Sequence, residues 1–338
     1  MAKVPRWIVG RALIATALLA LGQQSVNAKP DVVVTLKPLH GLVAAVMEGV
    51  DTPHLLIDGA ASPHTYAMKP SDVRRLNKAQ VIIRVSKGLE VFLAKPLALV
   101  SDQTRVVTID EETPGLTLLP LRQNGDFEAH AHDSETDRPH DHNHDDRHAH
   151  VSHEHEKHRH AGTQIAHDTH LWLDPHNAKA IALHLSEVLA KVYPADADRL
   201  RSNGRSLAGR LDTLDATLAA EMTPLAGRRF LVFHDAYQYF ERRYGLADAG
   251  SVTISPEVPP SAHRLSEIRA RIAKTGIVCV FAEPQFPPRA IAVIAEGTGV
   301  RQGTLDPNGA SIAAGPEHYF ALLENIAQDL KACLGSTG

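Results

Sequence analysis

The chain has 338 residues, a formal net charge of -4, and 21 histidines against two cysteines. A chain of that sign is a poor match for nucleic acid or anionic membrane, and two sulfurs cannot build a four-thiolate metal site. Its length exceeds a single ordinary core, so two domains are expected.

In chain order, the first element is MAKVPRWIVGRALIATALLALGQQSVNAKP. Lys3, Arg6 and Arg11 precede an apolar run from Ala12 to Leu21 that is too short to span a bilayer, and Val26-Asn27-Ala28 puts small residues where a signal peptidase cuts. Residues 1–28 read as a cleavable export signal, with a buried N-terminal helix as the alternative. Their removal takes away three bases and no acid, which leaves -7. No cysteine near the cut offers a lipid anchor, and no later segment is long and apolar enough to cross a membrane. A periplasmic protein, monomeric and not membrane-inserted, is the expectation.

Residues 29–193 alternate β-branched runs, Val32 to Thr35, Val81 to Val85 and Val106 to Ile109, with helical patterns at Pro38 to Glu48 and Ala178 to Lys191. That rhythm predicts an α/β lobe with a parallel sheet. GASPHTYAMKPSDVRRL puts His64 in a loop marked by Gly, Ser and Pro, ahead of a helix opening at Pro70-Ser71. From about 122 to 166 the composition changes. The part PHDHNHDDRHAHVSHEHEKHRH carries His140, His142, His144, His148, His150, His153, His155, His158 and His160, with no Leu, Ile or Phe. It cannot bury enough apolar surface to offset ordering, so a solvated loop is expected. Its imidazoles suit zinc, but a mobile loop loses entropy on wrapping an ion, which makes these auxiliary, weak sites; a solubilising spacer is the alternative. HDTHLWLDPHNA then reads as an apolar, strand-like stretch that carries His170 and ends at Asp174-Pro175, ahead of a helix.

Between Pro194 and Thr223 the residues Leu200, Leu207, Leu211, Leu214, Leu218 and Met222 recur at helical spacing. Residues 194–223 are expected to form a long connecting helix, or else a surface helix of one larger domain. Residues 224–338 resume the α/β pattern, with strands at Phe230 to Phe233 and Ile277 to Phe281 and helices at Ala262 to Lys274, Pro288 to Gly297 and Pro316 to Lys331. His234 follows its strand directly, at the carboxyl end where open α/β sheets bind ligands. Asp306 occupies the turn GTLDPNG. Cys279 and Cys333 read as one disulfide in an oxidising compartment, with two buried free thiols as the alternative.

His40, His54, His167, His176, His184, His263 and His318 are read as ordinary core or surface residues. His64, His170, His234 and Asp306 lie in more informative places. Three neutral imidazoles with a carboxylate or a water make a natural tetrahedral set for zinc. Separations of 106, 64 and 72 residues exclude a local finger, so only a tertiary cleft could gather them. Catalytic motifs are missing: Lys157 and Arg159 stand where H-E-x-x-H would need its second histidine, and there is no G-x-S-x-G, Walker loop or G-x-G-x-x-G.

At these residues the chain resembles the periplasmic zinc-binding proteins of ABC importers, in the solute-binding family that also includes manganese binders and streptococcal adhesins. GASPHTYAMKPSDVRRL, HDTHLWLDPHNA, FLVFHDAYQYFERRYGL and TLDPNG are similar, in order, to that family's four ligand segments. ISPEVPPSAHRLSEIR and FAEPQFPPRAI are similar to its C-lobe segments, and a histidine-rich insertion precedes the second motif. The resemblance implies two α/β lobes joined by one long rigid helix. The metal would lie between them, with His64 and His170 supplied by the first lobe and His234 and Asp306, or a water, by the second. It also implies a non-enzymatic receptor whose zinc is the transported ligand and whose partner is a membrane permease. Manganese members carry Glu where His234 stands, so nitrogen there favours zinc. Glu283 is expected to orient a neighbouring group or to form a structural salt bridge. The rival readings are a manganese or iron receptor of the same family and a secreted zinc-dependent hydrolase.

Overall fold

A computed structural model describes residues 31–122, 167–253, 256 and 258–335. The expected export signal and the histidine-rich stretch, His140 to His160 included, lie outside the described residues.

The first lobe runs β1 (Val32–Val34), α1 (Lys37–Val46), β2 (His54–Leu55), α2 (Pro70–Leu76), β3 (Val81–Arg84), the short α3 (Ala94–Leu97), β4 (Arg105–Thr108) and the short α4 (Ile109–Glu112). Its strands are all parallel, in the order β2-β1-β3-β4, with Val33 opposite Ile82 and Ile82 opposite Val106. Val32, Val33 and Val34 are almost wholly buried, as continuous β-branched runs should be when helices cover both faces. Helices α5 (Pro175–Val192) and α6 (Ala197–Met222) follow. The second lobe repeats the plan. It runs β5 (Phe230–His234), α7 (Gln238–Tyr244), β6 (Asp248–Thr253), α8 (Ala262–Thr275), β7 (Cys279–Ala282), α9 (Arg289–Ala295), β8 (Arg301–Thr304) and α10 (His318–Leu334), with parallel strand order β6-β5-β7-β8.

The α/β expectation holds, as do the strands read from apolar runs. The helix expected over 194–223 is α6, 26 residues long, with a short 3-10 turn at each end. Its buried face contains Leu200, Leu207, Leu211, Leu214, Leu218 and Met222, the same six residues that set the period. It lies along α5 so closely that a Cβ at Gly204 would stand 2.6 Å from the Ser186 Cβ, which requires glycine there. One correction concerns HDTHLWLDPHNA, where Leu171–Leu173 form a 3-10 turn rather than a strand. Asn177 holds that turn by donating to the Leu171 and Thr117 carbonyls, and Asp174 caps α5 by accepting from the His176 N–H. Local capping therefore wins over the β-preference of an apolar run. The short strands β2, β6 and β8 carry too weak an apolar pattern to stand out in the sequence.

The lobes are tied directly to each other as well as through α6. From α1, the Lys37 ammonium donates to the Ala310 and Ile312 carbonyls at 2.9 and 3.0 Å and pairs with Asp58. The Trp172 indole N–H donates to the Pro307 carbonyl at 2.8 Å, and the Tyr319 hydroxyl donates to the Trp172 carbonyl. Gly309, at φ +64°, lets the 306–313 loop lie against the His318 ring. One hydrophobic cluster accordingly includes Val34, Leu171, Phe230 and Leu334. Cys279 and Cys333 form the expected disulfide, joining β7 to α10.

His40 sets a pH limit on this packing. Its ring faces the Pro53 carbonyl at 3.0 Å through Nε2, while buried Nδ1 finds no hydrogen-bond partner among the described residues. Burial holds the imidazole below its ordinary value of 6.5, outweighing the Pro53 carbonyl and Asp58, which favour the cation; His54 adds a small push the other way. The folded state thus binds fewer protons than the unfolded chain. The stability from a neutral His40 is present above pH of about 6.5 and is lost as pH falls from there toward the folded value. Chemical denaturation of His40→Gln should show a shallower loss of stability between pH 7 and 5 than the native chain. Equal slopes would mean that His40 does not titrate in this way.

Candidate metal centre

Strand order reverses between β5 and β7, so the carboxyl ends of these strands open a crevice at a topological switch point. His234 is the last residue of β5, and Glu283 directly follows β7. Their neighbourhood makes a charge-assisted pair: the Glu283 carboxylate accepts from His234 Nδ1 at 2.8 Å and from the His234 backbone N–H at 3.2 Å. Both side chains are buried.

The first lobe supplies the other two rings. His170 immediately precedes the 3-10 turn, where the Asp168 carboxylate accepts from its backbone N–H at 2.9 Å and from Nδ1 at 2.8 Å. His64 comes from the loop ahead of α2, whose start is fixed by Asp72 accepting from the Lys69 N–H. The His64 backbone N–H donates to Ser62 Oγ at 3.3 Å, and among the described residues no carboxylate accepts from its ring as Asp168 and Glu283 do from the other two.

The three Nε2 atoms converge. His170 Nε2 lies 3.2 Å from His64 Nε2 and 3.3 Å from His234 Nε2, and the three ligand atoms all fall within 4.8 Å of one another. With Zn–N bonds of about 2.0–2.1 Å, tetrahedral geometry puts nitrogens roughly 3.3 Å apart. Asp168 and Glu283 hold the protons of His170 and His234 on Nδ1, which turns their Nε2 lone pairs toward the shared centre. Burial, then the neighbouring His170 and His234 rings, keep the His64 imidazole well below its ordinary value, so it meets a cation unprotonated. Two carboxylates one hydrogen bond behind the rings match the charge of a divalent ion. The cavity among the rings is about 10 Å³, lined also by Pro63, Gln285, Phe286 and Asn308. That is room for an ion or a single water.

Asp306 is not among the residues whose donor atoms gather here. Its Oδ1 accepts from Gln285 Nε2 and from the Asn308 and Gly309 N–H groups, and its Oδ2 accepts from the Ala310 N–H. It lines a separate cavity of about 410 Å³ with Ala60, Asp329 and others. Pro63 precedes His64 and has no carboxylate to offer. Among the remaining histidines, His54 pairs with Asp31, His167 with Asp110 and His263 with Glu267, all away from the cluster. Asp168 is the functional partner that sequence reading passes over. The signal was present in Asp168-Thr169-His170, since an Asp two residues ahead can accept from both the backbone and the ring of a histidine.

A family sequence model described as "ZnuA: Zinc-uptake complex component A periplasmic" matches residues 32–333. A high-affinity zinc uptake system protein ZnuA from Brucella abortus is 44% identical over 325 residues, covering 95% of this chain and 97% of that protein. The protein of the same name from Paracoccus denitrificans is 40% identical over 321 residues, covering 94% and 96%. Among solved structures, a crystal structure of ZnuA superposes with a TM-score of 0.71 at 22% identity, covering 90% of this chain and 99% of that one.

Proposed function

The chain belongs to the ZnuA family of periplasmic zinc-uptake components, and from that premise we propose that it holds one zinc ion between its lobes on His64, His170 and His234. One observation carries the ligand assignment: nitrogen separations of 3.2 and 3.3 Å across three segments distant in sequence, with the Nδ1 atoms of His170 and His234 already committed to carboxylates. The fourth position goes to a water, because the Asp306 oxygens already serve four donors. Nitrogen at His234 favours zinc over the harder manganese.

The protein carries zinc to the membrane permease of an ABC importer and is not an enzyme. A cavity of about 10 Å³ supports that reading, because a hydrolase needs space beside its metal for an ester, peptide or phosphate. Residues 1–28 export the chain and are removed. Release at the permease requires a ligand segment to move, and the His64 loop, with the weakest hold, is the segment to do so. The histidines between His130 and His160 capture scarce zinc weakly and pass it inward.

Titration of the metal-free protein tests these statements together. One tight zinc equivalent is expected, not displaced by excess manganese, followed by weaker equivalents. Deleting residues 130–160 should remove the weak equivalents and leave the tight one. Displacement by manganese would overturn the metal assignment, and loss of tight binding on deletion would move the site to the loop.

A further inference from the structure

Helix α7 starts four residues after His234 and reaches back to the other lobe. Its Tyr239 is 1% exposed, and the phenolic oxygen accepts from the Leu119 N–H at 3.1 Å while donating to the Asp168 carbonyl at 2.8 Å. Leu119 and Asp168 belong to two paired segments: the Asp168 N–H donates to the Leu119 carbonyl at 2.8 Å, and Pro120 bridges His167 in antiparallel fashion. Asp168 is also the residue whose carboxylate orients His170. A single hydroxyl on the helix after His234 therefore grips the peptide whose side chain aims His170.

A second tie lies beside it. Arg122 Nη1 donates to Asp235 Oδ1 at 3.0 Å and to Glu241 Oε2 at 2.8 Å. Asp235 is the neighbour of His234, and Glu241 stands two residues beyond Tyr239. Glu241 is 2% exposed, so this ion pair is shielded from water and its geometry is confined. Both ties run between the lobes, one reaching Asp168, two residues before His170, and the other Asp235, beside His234.

We propose that Tyr239, seconded by Arg122, is a positioning residue for zinc: it registers His170 against His234 across the cleft, and its loss loosens zinc without removing a ligand. The physical ground is tolerance. A metal site holds its ligands to within roughly half an ångström, and that precision must come from groups whose own rotamers are locked. Tyr239 meets the condition, with its ring buried and its hydroxyl engaged both as donor and as acceptor. The inference rests on the three-histidine site proposed above.

The test uses the full chain carrying Tyr239→Phe, which keeps the ring and deletes only the hydroxyl. Zinc affinity should fall about tenfold, the lower end of the range for partners directly behind the ligands, because Tyr239 acts one bond further out, through Asp168. Zinc release into a chelator should quicken, the cobalt(II) ligand-field bands should shift, and zinc should raise the unfolding temperature less than in the native chain. Combining it with Asp168→Asn should cost less than the sum of the two single changes, because the effect passes through Asp168. Native affinity, release rate and cobalt spectrum, with stability lowered equally in the metal-free and loaded forms, would make Tyr239 a packing residue and overturn the proposal. If Tyr239→Phe does not fold, Arg122→Gln takes its place: weakened zinc restored by Arg122→Lys upholds the cross-cleft tie, and native zinc binding overturns it. His170→Ala runs alongside. Tight zinc surviving in His170→Ala indicts the histidine site itself, whereas its loss there with native behaviour in Tyr239→Phe sinks only the positioning role.

Discussion

Replacing His170 with alanine should eliminate tight zinc binding, with His234→Ala close behind and His64→Ala losing somewhat less. The order follows from the geometry. His170 Nε2 is the common member of both short nitrogen contacts, and removing its ring also takes the Nδ1 donor from the buried Asp168 carboxylate, leaving it the backbone N–H of residue 170 on Oδ1, while Oδ2 already lacks a partner among the described residues. His234→Ala removes the ring donor of Glu283 in the same way and leaves it the backbone N–H of residue 234. His64 leaves no comparable buried charge behind. At the proposed site each change would delete a bond to the ion itself, so each should exceed the roughly 10- to 100-fold cost of altering an outer partner. Competition against a chromogenic chelator measures all three. Unchanged affinity in any one variant would remove that histidine from the site.

Breaking the disulfide should produce the largest loss of stability. Cys279 and Cys333 close a loop of 54 residues, and the chain-entropy relation gives about 4 kcal/mol for a loop of that length. The Cys279→Ser, Cys333→Ser double variant should therefore unfold at a temperature lower by on the order of 8 °C. Both sulfurs are buried, and Gly303 on the neighbouring strand leaves space that the Phe281 ring fills. A reductant should accordingly act slowly on the folded protein and quickly on the unfolded one. Zinc should still bind to the double variant, because β7 keeps its pairing with β5 and β8, and Glu283 its contact with His234. Calorimetry showing no change in unfolding temperature would mean that the bridge adds nothing to stability.

What was legible in the sequence came from periodicity and from chain chemistry. Buried parallel strands need apolar residues on both faces, so Val32 to Val34 and Phe230 to Phe233 announce themselves. A helix packed along one side must repeat its leucines, so α6 could be read residue by residue. The histidines at loop and strand ends stood out because ligand-binding crevices form there. Short edge strands such as β2 and β8, half exposed, have no such signature, and HDTHLWLDPHNA misled because an apolar run of that length fits either a strand or a turn.

The sequence by itself determined the inventory: alternating α/β elements, one long helix in mid-chain, three candidate imidazoles with Asp306 beside them, and a pair of cysteines able to bridge. Only the tertiary structure decided the spacing of the Nε2 atoms and the partners behind them. It also turned Asp306 toward its own loop and brought Tyr239 from one lobe onto Asp168 of the other. The reason is one of scale. Periodicity is set by each segment's own geometry, whereas convergence within a few ångströms of residues separated by 64 and 106 positions depends on how both sheets pack, and no local pattern records that.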